Sequence, residues 1–334
     1  PEGATVDWEN QTITIEGSIT NLQQTVDQYV WIPVDDINSM VMCRSNSGDS
    51  VCNLVYDKST NTLTCTNPDH LDTATELVGR LYTSSFVNTG NNIYSETMDF
   101  TKRDQTYEDD SGLREPDDLT ATDAGDASSR GIAAIKEILG NDTASTYDEI
   151  KDEWNNLLKE DFRKMATSVA KNGGFYISRY EVGANGGSKK GQQVLTEGSG
   201  NEGNSLGANM WYGLFNILRD INNNQQMIWG CQYDQVIKFI GEEAQIGHSD
   251  RNLTTSAALT GQNELDKMKN IYDLEGNCYE VTSEAEVTRT RLVRGGGFDI
   301  ISGGFFPASV RLVMLANPPV ASNLNITTSR STLY

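Results

Sequence analysis

FRKMATSVAKNGGFYISRYEVG spans residues 162–183 and joins the end of a helix directly to a strand. Apolar residues recur at helical spacing up to Val169, which predicts a helix over 146–174. Thr146 and Glu149 have the spacing of a capping box at its start, and Asn172-Gly173-Gly174 is a stop signal. The segment GGFYISRYEVG then predicts a strand. The apolar positions of the helix are Ile150, Trp154, Leu157, Leu158, Phe162, Met165 and Val169.

Shorter elements surround this pair. Three further helices are predicted, in SRGIAAIKEILGN, in WYGLFNILRDINNN and in the second half of QMIWGCQYDQVIKFIGEE. Strands are predicted in ATVDWENQTITIEG, YVWIPV, RTRLVR and SVRLVML. Helices packed against small, loop-rich antiparallel sheets make an α+β fold. Trp211 and Trp229 lie on apolar faces and are expected in the core.

Composition excludes several classes of partner and chemistry. The net charge of −21 argues against nucleic acid and against an anionic membrane surface. No run approaches the ~18 apolar residues of a membrane span, and PEGATVDWEN has no signal-peptide pattern. The two histidines, His70 and His248, lie in polar sequence, which disfavours catalysis by a positioned imidazole.

The five cysteines are odd in number and lack CxxC spacing, which disfavours zinc. Cys43, Cys52 and Cys65 lie close together in the sequence. Two alternatives remain open: free, buried thiols, or one disulfide among these three.

RGGGFDIISGGFFPASVRLVMLANPP (294–319) is nearly free of charge. Between Phe298 and Ser329 the charged residues are Asp299 and Arg311, whereas the chain-wide 22% predicts about seven. A buried pair of core strands is one interpretation, but GGFFPASV and ANPPVASNLN interrupt the alternation that it requires. A binding surface with its own compositional rule is the other interpretation.

Several segments, taken in order, resemble the formylglycine-generating-enzyme-like branch of the C-type lectin fold. They are YVWIPVDDINSM, GLREPDD, FRKMATSVAKNGGFYISRYEVG, MIWGCQYDQVIKFI, NIYDLEGNCYEVTSEA, VRGGGF and PASVRL. The resemblance implies one domain over 29–334, preceded by a strand or hairpin segment at 1–28. It is poorest over about 44–145, which is expected to be a loop-rich insertion. Nine acids against one arginine over 104–126 favour a solvated face there over a calcium site.

Within that branch, the resemblance points to the variable proteins of diversity-generating retroelements. Adenine-directed mutagenesis of Asn-type AAY codons cannot yield Lys, Glu, Gln, Trp or Met. These five types make up about 18% of the chain, yet only Met314 occurs between Gly297 and Thr327, and the codon rule does not explain it. The expected variable region is about 294–330. Its ligand-binding positions are Phe298, Asp299, Ile300, Ile301, Gly304, Phe305, Phe306, Val310, Leu312, Val313, Leu315, Val320, Ala321, Asn323 and Leu324. The side chains expected to face solvent are those of Phe298, Asp299, Ile300, Ile301, Phe305, Phe306, Val310, Leu312 and Val313.

The resemblance also bears on metals. True formylglycine-generating enzymes carry a copper-binding cysteine pair after the RGG, and thiolates suit Cu(I). Ile300 and Phe305 are among the residues at those places here, so no copper and no enzyme activity are expected. LEGNCYE resembles the family's calcium loop, with Gly276, Cys278 and Glu280 at the matching positions. A tight turn with Glu280 paired to an arginine is the equal alternative.

Two arginines are expected to be structural. Arg294 is expected as a buried strut that pairs with a carboxylate. Arg179 and Glu181 are expected as structural partners. The expected function is non-enzymatic ligand binding, to a protein or surface molecule of a host or neighbouring cell. The chain would be displayed on a bacterial surface, pilus or phage particle. An invariant adhesion module and, less favoured, a metal-dependent oxidase of the same fold are the alternatives.

Overall fold

The structure is a computed structural model. It describes residues 4–7, 12–15, 26–45, 51–66, 75–80, 84–90, 93–98, 135–183, 187–196, 211–220, 225–248, 251, 256–285, 290–298, 307–315 and 327–334. Helices and short, mostly antiparallel strands are mixed along these residues, so the predicted α+β class is confirmed.

Three helices of ten or more residues stand out among the described residues. They are α1 (Lys151–Asn172), α2 (Trp211–Asp220) and α3 (Gly230–Ile240). Residues 135–139 are also helical. Single 3-10 turns occur at Ile37–Ser39, Tyr147–Glu149, Glu242–Gln245 and Glu264–Asp266.

The strands, in chain order, are short. They are β1 (Ala4–Asp7), β2 (Thr12–Ile15), β3 (Asp27–Pro33), β4 (Val41–Ser45), β5 (Val51–Cys52), β6 (Leu54–Asp57), β7 (Thr62–Cys65), β8 (Thr75–Gly79), β9 (Ser84–Gly90), β10 (Ile93–Met98), β11 (Gly174–Ser178), β12 (Gln225–Met227), β13 (Lys267–Met268), β14 (Ile271–Tyr272), β15 (Tyr279–Ala285), β16 (Thr290–Arg294), β17 (Arg311–Leu315), β18 (Thr327–Ser329) and β19 (Ser331–Leu333).

Helix α1 begins later than the capping-box pattern predicts. The backbone forms a 3-10 turn at Tyr147–Glu149 first, and the Glu149 carboxylate accepts the N–H of Ser145 at 2.6 Å. Its end is as predicted: Gly173 has φ +77°, and its N–H donates to the Val169 carbonyl at 2.8 Å. A residue without Cβ adopts this left-handed conformation at little cost.

The largest sheet has the order β1-β2-β3-β11-β19-β12. The predicted hairpin β1–β2 pairs with β3, so the sheet continues across the boundary expected at 28/29. The strand that follows α1 lies between β3 and the C-terminal strand β19. The sheet therefore joins the two ends of the described chain to the segment 162–183.

A second sheet carries the C-terminal segment, in the order β17-β16-β15-β18. Strands β16 and β17 are antiparallel, as are β15 and β16, while β18 runs parallel to β15. Glu280 on β15 lies opposite Arg294 on one side and Thr328 on the other. This register places residues of β15, β16 and β18 beside one another.

The expectation that the region after residue 44 is loop-rich is wrong for its described part. Between 51 and 98 the chain forms six strands, β5 to β10. Their Ser, Thr and Asn content suggested loops, but Thr is β-branched and is favoured in strands once a partner strand is present. The acidic stretch 104–126 lies outside the described residues.

Two large hydrophobic clusters form most of the core of the described residues, and a small third one contains Tyr29 and Leu333. One contains the Phe162 side of α1, α3, β3 and β11, and includes Trp229. The other contains the Trp154 side of α1 and α2, and includes Trp211. Trp229 meets Phe162 edge-on at 4.9 Å between ring centroids, and both tryptophans are buried. The prediction that Trp211 and Trp229 are core residues is confirmed.

None of the helices in the described ranges combines the length and the apolar character that crossing a membrane requires.

Candidate functional site

The C-terminal segment is held at several points by buried backbone. Strand β16 ends at Arg294, and the structure describes the chain up to Phe298. It describes the chain again over 307–315, which includes β17, and from Thr327, where β18 begins. Strand β17 lies at the edge of its sheet as the described strands define it. Two stretches of the predicted variable region, 299–306 and 316–326, lie between these described residues.

Gly295 sets the backbone conformation at the point where the chain leaves β16. Its φ is +73°, and a Cβ there would lie 2.3 Å from the Leu274 carbonyl oxygen. Any side chain would both strain the backbone and collide with it. The glycine after Arg294 is thus required by the fold.

Arg294 is the buried strut that the sequence predicts. Its Nη2 lies 3.0 Å from Oδ1 of Asp234 on α3, and both residues are buried. The guanidinium also lies over the ring of Tyr233 at 5.4 Å. The pair ties β16 to α3 at the start of the predicted variable region.

Two predicted variable side chains are placed by the structure, and one contradicts the expectation. Phe298 is half-buried, and its N–H donates to the Asn277 carbonyl at 2.7 Å. Val310 was expected to face solvent, but it is fully buried. A turn brings its N–H to the Pro307 carbonyl at 3.1 Å and its own carbonyl to the Gly295 N–H at 3.3 Å. Val310 therefore belongs to the buried framework and not to an exposed surface.

The other predicted positions divide into two groups. Leu312, Val313 and Leu315 have their backbone in β17. The rest lie outside the described residues: Asp299, Ile300, Ile301, Gly304, Phe305, Phe306, Val320, Ala321, Asn323 and Leu324.

A buried ion pair lies beside this segment. Nε of Arg330 donates to Oε1 of Glu280, and both side chains are inaccessible to solvent. The same guanidinium donates to the Tyr272 carbonyl and, at 3.3 Å, to the Ser178 carbonyl. Arg330 thus connects β11, β14 and β15 to the junction of β18 and β19.

Buried carboxylates hold the loop that precedes Glu280. Asp266 accepts the N–H of Gly276 at 2.6 Å, and Glu181 accepts the N–H of Cys278 at 3.0 Å. Glu181 also accepts from the Asn277 amide. The segment NIYDLEGNCYE is therefore fastened by side chains from outside it.

Burial sets the charge state of these acids. It raises the pKa of Glu280 to about 7, although the Arg330 guanidinium opposes the shift. It also raises the pKa of Glu181 well above its ordinary value, and the nearby carboxylates of Asp273 and Glu280 add to the effect. Removing a carboxylate from water disfavours its charged form.

The geometry around Gly276, Cys278 and Glu280 fits the arginine alternative better than a calcium ion. Oε1 of Glu280 already accepts from Arg330. In the described part of the chain, the acidic, His or Cys ligand atoms that converge in a group of three are cysteine sulfurs, not carboxylates. The calcium site itself stays a prediction.

A chelator tests the calcium site. We expect EDTA to leave the melting temperature unchanged, because Arg330 supplies the cation that Glu280 needs. A bound ion would stabilise the fold by mass action, and its removal would lower Tm. A lower Tm with calcium found by elemental analysis would restore Gly276, Cys278 and Glu280 as a metal site.

Arg179 and Glu181 are structural, each with its own partners. Arg179 donates to the Asn270 carbonyl at 3.0 Å and to the Gln28 side chain at 2.9 Å. Glu181 holds the loop at 277–278. The side chains of the two residues fasten different neighbours.

The structure also brings three cysteines together, although their sequence spacing did not predict a site. Cys43 and Cys65 form a disulfide, which decides the open question in favour of a bond. Sγ of Cys52 lies 2.6 Å from Sγ of Cys43. The signal in the sequence is their closeness along the chain.

Comparison with protein-family models, curated proteins and solved structures finds no match to the chain. The described architecture defines the class of the protein as α+β.

Proposed function

We propose that this chain is a non-enzymatic ligand-binding protein whose C-terminal segment, about 294–330, is diversified by a retroelement. One observation carries the proposal. Residues 297–327 contain Met314 but no Lys, Glu, Gln or Trp, the types that mutation of AAY codons cannot produce.

The buried framework around the segment supports a surface that tolerates change. Arg294, Gly295 and Arg330 are fixed by an ion pair, by steric necessity and by a buried hydrogen-bond network. The partners in these contacts are Asp234, Leu274 and Glu280, which lie outside 299–306 and 316–326. A scaffold fastened at its ends is what a variable binding segment requires.

The finer fold class belongs to this proposal. We infer a C-type lectin fold of the formylglycine-generating-enzyme-like branch. Contacts between the sequence segments that resemble this branch support the inference. Glu181 of YISRYEVG bonds to Cys278 of NIYDLEGNCYE, and Glu280 of that motif lies opposite Arg294 of VRGGGF. Motifs far apart in the chain thus converge around one buried carboxylate network.

Binding without catalysis follows from the side chains available. Ile300 and Phe305, at places where the copper-binding thiols would be, offer no ligand to Cu(I). Cys231 and Cys278 are buried elsewhere, in α3 and in the loop before β15. The proposal therefore includes no copper and no enzymatic turnover.

The partner that fits is a protein or surface molecule of a host or neighbouring cell. An aromatic and aliphatic segment with little charge suits contact with such a surface. Display on a bacterial cell surface, pilus or phage particle is part of the proposal. The Cys43–Cys65 disulfide supports it, since such bonds persist in oxidising surroundings.

Sequencing the DNA that flanks the gene tests the proposal. We expect a reverse-transcriptase gene and a near-copy of the 3′ coding segment that differs from it at adenines. Flanking DNA without either would leave an invariant adhesion module, an alternative that the buried Val310 favours.

A further inference from the structure

Three sulfur atoms meet where β4, β5 and β7 come together. Cys43, Cys52 and Cys65 supply them, and all three atoms lie within 4.8 Å of one another. Cys43 and Cys65 are joined by the disulfide, with their Cα atoms 6.2 Å apart. Sγ of Cys52, at 2.6 Å from Sγ of Cys43, is the third member.

Cys43 has two partners within bonding geometry. Its Cα separation from Cys65 lies inside the usual range for disulfides, about 4.4–6.8 Å. Cys52 lies directly opposite Cys43 in the antiparallel pair β4–β5. Directly opposite residues have Cα atoms about 4.5–5.5 Å apart, which also suits a disulfide. The same backbone therefore accepts either bond.

We propose that these cysteines form a thiol–disulfide exchange site, in which Cys43 alternates between Cys65 and Cys52. The Cys52 thiol loses its proton to solvent and its thiolate attacks Sγ of Cys43. A Cys52–Cys43 bond forms as the Cys43–Cys65 bond breaks, and the Cys65 thiolate leaves with the electron pair and takes up a proton. One disulfide and one thiol are present before and after, so the step requires no oxidant or reductant.

Burial determines which sulfurs an outside thiol or disulfide can reach. Cys43 is fully buried, Cys52 is partly buried, and Cys65 is a partly buried residue whose place in the sulfur cluster is buried. In either state the thiol left over belongs to a partly buried residue. The site therefore takes thiols and disulfides as its chemical class of partner, and it presents Cys52 or Cys65 to them.

Exchange also changes which strand the disulfide joins to β4. The Cys43–Cys65 bond ties β4 to β7, across a sequence separation of 22. The Cys43–Cys52 bond ties β4 to its neighbour β5. The hairpin β6–β7 is then released from its covalent link to β4.

Alkylation of the native, unreduced chain followed by disulfide mapping tests the proposal. After equilibration at mildly alkaline pH, we expect label at both Cys52 and Cys65, none at Cys43, and both the 43–65 and 43–52 bonds in one sample. Label confined to Cys52 with a single 43–65 bond would overturn the exchange. So would three reduced thiols that co-purify with a metal ion, because the cluster would then be a metal site.

Single variants separate the two bonds. Cys52→Ser should leave only the 43–65 bond, and Cys65→Ser should form the 43–52 bond in full. Cys278→Ser, whose thiol is buried in the loop before β15, is the control and should leave both bonds populated. A Cys65→Ser chain that stays folded without a disulfide contradicts the proposal. If a variant fails to fold, disulfide mapping of the native chain is the deciding test.

Discussion

Arg330→Met is expected to destabilise the fold by about 3–5 kcal/mol, the usual cost of breaking a buried ion pair by removing one partner. The substitution leaves the Glu280 carboxylate buried without its guanidinium. It also deprives the Tyr272 and Ser178 carbonyls of their donor. Urea unfolding followed by tryptophan fluorescence measures the loss.

Lys164→Met is the matched control for this prediction. Lys164 pairs with Glu160 at 2.8 Å, but both side chains are more than half exposed. Exposed pairs contribute about 0–1 kcal/mol, so the control should unfold close to the unaltered chain. Equal effects for the two variants would show that Arg330 does not hold the C-terminal strands in place.

The free energy of unfolding is expected to fall as pH rises from about 5 to about 7. Burial raises the pKa of Glu280 to about 7 and that of Asp273 to about 6. In this window the folded chain keeps protons that the unfolded chain has released. Each such group costs about 1.4 kcal/mol of stability per pH unit between its unfolded and folded pKa.

Urea unfolding at several pH values checks the sign. Glu280→Gln should flatten the slope between pH 5 and 7, since the amide does not titrate. Glu264→Gln is the control: the Lys190 ammonium, with other hydrogen-bond donors, lowers the pKa of Glu264 to about 2. Its contribution to stability is fully present above the ordinary pKa and is lost only as pH falls toward about 2, so the slope above pH 5 should stay. A stability that rises from pH 5 to 7 contradicts this account of the buried acids.

The elements that sequence predicted are those that local pattern specifies. The periodicity up to Val169, the glycine stop at 173 and the alternation in the first hairpin each need only a few neighbouring residues. Arg294 was also predictable as a buried strut, because an arginine before three glycines in apolar sequence has few other uses. Its partner Asp234 was not, since nothing local links α3 to β16.

The features that sequence missed depend on distant contacts. An arginine partner for Glu280 was one of the two alternatives, but its identity was not predictable, because Arg330 is 50 residues away and reaches Glu280 through the parallel pairing of β15 with β18. Strands β5 to β10 were taken for loops because their partner strands, not their composition, stabilise them. Val310 was taken for a surface residue because its burial follows from a turn at Pro307.

The central claim, that the predicted variable positions around Phe305 and Phe306 form a surface on which the fold does not depend, is tested most directly by the unfolding free energies of Phe305→Ala and Phe306→Ala. Exposed side chains should change stability by no more than about 0.5 kcal/mol. Trp229→Ala, in the buried cluster beside Phe162, is the core control and should cost about 3–5 kcal/mol. If either phenylalanine variant loses as much stability as the tryptophan control, the segment is core and the account of a variable surface is wrong.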